Sequence, residues 1–214
     1  MTGKNLTELV DRLCLMELSA TRNRSERAVP QKLEVFTLIR LIAFNCGRHC
    51  YAALGMNVHE LIDRLAASIA EAGHVIQPIS EAPWITQLEQ RLPKRLPASF
   101  RSLVTRYAFP PLQVGGLELF GNMGTDDVDE MSIAIFQDAI IAEGTMRAGY
   151  IQFARPDTGS YDPICFDARR PVNNREFPIV RLDHEELLIR DRIHVSEKVA
   201  ESFYKFASGV VNFT

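Results

Sequence analysis

The sequence predicts an α+β fold, and three observations lead to it. Apolar residues recur at helical spacing through most of the first 109 positions. From Leu117 onward short apolar segments bounded by glycine, proline and acidic clusters take over, as in an antiparallel sheet. The segment VAESFYKFAS, near residue 200, returns to a helical period. Helices at both ends with strands between them make an α+β chain.

Three helices are expected before residue 75. About Asn5 to Ser19, Leu6, Leu9, Val10, Leu13 and Met16 share a face. A second helix begins near Pro30 and is apolar almost all round from Val35 to Phe44, as a buried helix is. The third has the clearest ends: Asn57 caps it, Glu60 follows three residues on, and Gly73 closes it. Val58, Leu61, Ile62, Leu65, Ala66 and Ile69 keep the period between those signals. HVIQPISEAP then reads as an extended connector. The expected division is a helical N-terminal extension over 1–76 and an α+β domain over 81–214.

Two short helices follow. Trp84, Leu88 and Leu92 make one stripe, and Phe100, Leu103, Val104 and Tyr107 another, with Pro97 suited to the first position of the second helix. Gly115-Gly116 opens a strand, GGLELF, and a helix is expected from about Met131 to Ala142. YIQFA (150–154), YDPICFD (161–167), FPIVRLD (177–183) and LLIRDRIHV (187–195) read as strands. Ser196 is the expected cap of a last helix with Val199, Phe203 and Phe206 on one face.

Composition narrows the function classes. At 46% hydrophobic and 24% charged, 214 residues can bury a core without disulfides. No apolar run approaches the ~20 residues that span a bilayer, and Glu8 and Asp11 break any secretion-signal layout at the start. Cys14, Cys46, Cys50 and Cys165 show no spaced framework, so reduced thiols and a cytoplasmic location are expected. Residues 1–80 carry nine basic and eight acidic side chains, and 81–214 fifteen and nineteen, a balance of +1 against −4. A −4 half suits a basic protein partner better than nucleic acid.

From about Glu81 to Gly209 the order of pieces resembles the SUKH superfamily, which includes the yeast Smi/Knr-type cell-wall assembly regulator and many bacterial toxin-immunity proteins. The pieces are the helix ending in Leu88-Glu89, RLPASF with its helix, Gly115-Gly116, IQFARPDTG, YDPICFD, PIVRLDHEE and VAESFYKFAS. The resemblance implies a curved, mostly antiparallel sheet flanked by helices, and a non-enzymatic protein that binds a partner protein. In an immunity protein that partner is a toxin, often a nuclease with a positive face. Two departures stand out. FPPLQVGG takes the place of an Asn-Gly-Gly turn, and Tyr161 displaces Asp162 from the step after Gly159-Ser160. Residues 1–80 lie outside the resemblance and are open to three roles: a cap, an oligomerisation arm or a separate domain.

The expected partner-binding residues are Asp126, Asp127, Asp129 and Glu130, an acidic loop suited to a basic surface, with Tyr161 and Asp162 as an aromatic-plus-charge anchor. No cofactor is called for. The alternative is a hydrolase, metal-assisted or acid/base, using Asp183, His184, Glu185 and Glu186 with His194 across a hairpin; the plainer reading is a solvated turn between strands. Cys46, His49 and Cys50 share a helix face but need a fourth ligand, from His59 or His74, to hold zinc, so ordinary packing is preferred. Cys165 with Asp167 and His184 is a conceivable thiol set, yet nothing nearby lowers its pKa. Arg91, Lys94, Arg95, Arg101 and Arg106 form a basic run without interleaved exposed aromatics, read as a solvated helix face.

Overall fold

The third N-terminal helix forms where its end signals place it. In the computed structural model, which describes residues 57–124, 130–172 and 175–213, helix α1 runs Val58–Glu71. The Asn57 side chain accepts the Glu60 N–H at 2.9 Å, and Gly73 leaves the helix with φ +86°. The expectations for the first two helices, and for Cys46, His49 and Cys50, lie outside the described residues. Leu61, Ile62, Leu65 and Ile69 of α1 are buried in the same core as the sheet described below.

The connector makes a two-residue strand, β1 (Gln77–Pro78), antiparallel to β2 (Tyr107–Ala108). Between them lie α2 (Trp84–Arg91) and α3 (Ala98–Arg106). Phe100, Leu103 and Val104 are fully buried, while Tyr107 has left the helix for β2 and donates its hydroxyl to Asp63 at 2.7 Å. Pro97 is the residue at the start of α3. The N-terminal N–H groups of α3 are satisfied from far along the chain: Ala98 donates to the Arg175 carbonyl, and Ser99 donates through both N–H and hydroxyl to the buried Glu176 carboxylate.

A six-stranded antiparallel sheet follows in simple sequence order: β3 (Leu112–Val114), β4 (Leu117–Leu119), β5 (Tyr150–Pro156), β6 (Ile164–Asp167), β7 (Ile179–Leu182) and β8 (Val195–Ala200). Gly115 and Gly116 form the two-residue loop between β3 and β4, both at positive φ, as the hairpin turn matched to strand twist requires. The register shifts between Gln152 and Ala154, and twice more where β7 meets β8. Such bulges bend and twist a sheet.

Four phenylalanines centre the core. Phe153 and Phe166 stack at 3.9 Å between centroids, and Phe100 meets Phe153 and Phe203 edge-on at 5.1 and 5.0 Å. On the opposite face, alternation places Tyr150, Cys165, Val180 and Leu182 in a smaller cluster. The inserted Pro110-Pro111 run is held by Asn122. Its amide donates to the Val104 and Tyr107 carbonyls, and its oxygen accepts the Phe109 N–H at 2.8 Å. Gly121 lets the two segments touch, because a Cβ there would sit 2.7 Å from the Pro111 nitrogen.

Three expected elements are corrected. The segment from Met131 to Ala142 is two helices, α4 (Glu130–Phe136) and α5 (Ala139–Arg147), because the Asp138 side chain accepts the Ile140 and Ile141 N–H groups and starts a new one. LLIRDRIHV is not a strand: α6 runs His184–Arg190 and ends at Asp191, in the left-handed region. The last helix, α7 (Phe203–Phe213), begins at Ser202, whose hydroxyl accepts the Lys205 N–H. Ser196 instead lies in β8, the last strand of the sheet.

Candidate functional site

Antiparallel pairing sets Ile164 opposite Arg181, so the turn entering β6 and the end of β7 meet along the edge of the sheet formed by the ends of its strands. Ser160, Tyr161 and Asp162 arrive there from the Gly159 turn. Arg181 comes from β7, and Asp183 and His184 open α6. The reason α6 starts there is local: the Asp183 carboxylate accepts the Glu185 and Glu186 N–H groups at 2.9 and 3.1 Å. The Asp183 N–H in turn donates to the His194 carbonyl.

Asp162 is the hub. One carboxylate oxygen accepts from Arg181 Nε at 2.8 Å; the other lies 2.6 Å from His184 Nδ1 and accepts the His184 N–H at 3.2 Å. Ser160 Oγ accepts the Asp162 N–H and a second Arg181 donor, both at 3.3 Å. Burial pushes the Asp162 carboxyl up, but hydrogen bonds from the His184 ring, Arg181, the His184 backbone and Ser160 outweigh it and hold the group at about 2. Tyr161, between these locked neighbours, is 66% exposed, its ring centroid 6.3 Å from that of His184.

The donor set does not favour a metal. Ligand atoms of Asp162, Asp183 and His184 lie within 4.8 Å of one another. Arg181 already supplies a cation to Asp162, however, and one Asp183 oxygen is committed to two helix N–H groups. An ion would have to displace a guanidinium held by charge-assisted bonds. The two glutamates of the expected hydrolase cluster take no part in the site. Glu186 pairs with Arg190, Glu185 points into solvent, and His194 lies 3.7 Å from Asp183. The thiol set does not assemble: Cys165 is fully buried, its pKa pushed well up by burial and by Asp167, and the His184 ring is engaged by Asp162. Asp167 is instead clamped by Arg169 at 2.9 and 3.0 Å.

Of the expected partner-binding residues, Tyr161 and Asp162 stand at this edge. Glu130 opens α4 and is exposed, and Asp126, Asp127 and Asp129 lie outside the described residues. Arg181 and Ser160 were not singled out from the sequence. Nothing local marks Arg181, which meets Asp162 across 19 residues.

Residues 80–209 match the family model described as SMI1 / KNR4 family (SUKH-1), which covers more than half of the chain. The chain belongs to this family. The SUKH-1 span takes in α2, α3, the whole six-stranded sheet and the Tyr161 edge, while α1 precedes it. No curated protein matches this SUKH-1 chain. Among the described residues no helix is long and apolar enough to cross a membrane.

Proposed function

We propose that this SUKH-1 protein is a non-enzymatic, cytoplasmic binding module, an immunity or regulatory protein that covers a surface of a partner protein. The observation that carries the reading is Tyr161. A large ring stands in solvent on a turn whose flanking side chains are fixed by Arg181 and His184. A rigid, exposed aromatic loses little freedom on binding and supplies the contact area that dominates interface energetics. Exposed apolar side chains also stand on the two elements that follow β7, Ile189 (77% exposed) and Leu188 of α6 and Val195 of β8.

Asp162 acts by positioning in this reading, because both its oxygens are engaged inside the protein. Long-range attraction is the role given to the acidic loop Asp126, Asp127, Asp129 and Glu130, which would raise the association rate toward a basic, toxin-like partner and make it salt-sensitive. Family membership supports the class, since SUKH proteins are commonly immunity or regulatory proteins.

The test replaces Tyr161 with a photo-crosslinking benzophenone residue. It should form an adduct with the protein that the wild-type chain captures, and excess wild-type chain should compete the adduct away. Capture without any adduct at this position would place the interface elsewhere. One observation favours a second reading, acid/base hydrolysis: the 2.6 Å Asp162–His184 pair. Loss of a measured hydrolytic activity in His184→Ala, with partner capture intact, would establish it instead.

A further inference from the structure

At the other end of β7 the charge balance reverses. A groove of 850 Å³ runs along the outward side of α3, closed by the start of α1 and by the loop that carries Arg175 and Phe177. Lys94, Arg95, Arg101, Arg106 and Arg175 line it, and among the described residues no acidic side chain does. Chain separation thus hid a constellation: the basic run of α3 and its preceding loop meets an arginine about 70 residues further on.

Not all of this charge is answered among the described residues. Arg101 pairs with Glu89 at 3.1 Å and Arg106 with Asp63 at 2.7 Å. Lys94 and Arg95 make no ion pair or hydrogen bond among the described residues. The loop bearing Arg175 is held in place, because its carbonyl accepts the Ala98 N–H at 2.8 Å and the adjacent Glu176 carboxylate takes two bonds from Ser99. Ser102 also lines the groove. It is 9% exposed, and its hydroxyl is the buried side-chain polar atom that finds no partner among the described residues. A buried hydroxyl without a partner costs stability; this oxygen lies just under the groove's lining, so a ligand reaches it once the side chain turns outward.

We propose that this groove is a second docking site, distinct from the Tyr161 edge, that takes a short acidic peptide segment of a partner protein. Arginine forks and lysine match carboxylates, and Leu96 and Phe177 give the lining apolar ground for a peptide's stems. Single-stranded nucleic acid fits less well, because it needs a run of exposed rings for base stacking and the groove's lining offers the His59 imidazole alone, Phe177 being buried. The two sites sit at opposite ends of β7, about 20 Å apart by strand rise over the six residues from Phe177 to Asp183, so a single partner can reach both.

The experiment is fluorescence anisotropy of a labelled hexaglutamate peptide titrated with the full chain at low salt, with hexalysine and deca-thymidylate probes in parallel. Hexaglutamate should bind and weaken at least tenfold in Lys94→Glu/Arg95→Glu. Ser102→Ala should lower affinity severalfold while its melting temperature stays level or rises, which mere structural damage would not produce. Tyr161→Ala should leave hexaglutamate binding unchanged, so failure at this groove is separable from failure of the Tyr161 surface. No hexaglutamate binding, equal affinity in the double variant, or tighter binding of deca-thymidylate lost in the same variant would overturn the proposal.

Discussion

The two ends of β7 handle charge in opposite ways. At the C-terminal end, Asp162 meets Arg181, His184 and a backbone N–H. Each partner is part-buried, and the outward group is the aromatic ring of Tyr161. At the N-terminal end, Lys94 and Arg95 have no ion pair or hydrogen bond, and the Ser102 hydroxyl no partner, among the described residues. Saturated polar groups fix a shape, whereas exposed, unpaired cations stay in water and are free to meet an anionic ligand, and a buried unmet hydroxyl such as that of Ser102 carries a cost. The first end is built to hold a surface still, and the second to receive something.

Breaking the saturated end should have the largest effect. Asp162→Ala strips Arg181 and His184 of their shared acceptor and should destabilise the fold by about 2–3 kcal/mol in denaturant unfolding. Acid should do the same to the intact protein. The Asp162 pKa falls from 3.8 to about 2 on folding, so its contribution is complete above the unfolded value and disappears as pH drops from about 4 toward 2. The loss is about 2 kcal/mol, and an Asp162→Asn variant should lack that component of the pH profile. A smaller change of opposite sign is expected at the other end, where Ser102→Ala should be neutral or stabilising by up to about 1 kcal/mol, since no bond is lost. Smallest of all, Lys94→Ala and Arg95→Ala should move stability by less than about 0.5 kcal/mol. A large loss from either would show that the groove's cations are structural.

What the sequence made legible was local. The Asn57 cap with Glu60 at the third position gave α1, and the spacing of Phe100, Leu103 and Val104 gave α3. The same cap pattern, Asp183 with Glu186 three residues on, opens α6 and was readable by the same rule. The apolar run Leu187-Leu188-Ile189 drew the reading toward a strand instead, because short apolar runs fit either period. The true last strand, VSEKVA, is largely exposed and carries little hydrophobic signal. The site itself was half legible. Turn chemistry marks Tyr161 and Asp162 in the sequence, but the bonds that fix Asp162 cross 19 to 22 residues. The Glu176–Ser99 link crosses 77 and the Asn122 bracket 13 to 18. Pairings at such range depend on sheet register, which no local pattern encodes.

The most direct test is the affinity of the captured partner for the wild-type chain and for Tyr161→Ala, measured by titration calorimetry beside the melting temperature of each. The account predicts binding at least tenfold weaker with the midpoint unmoved. Equal affinity in the two proteins would contradict it.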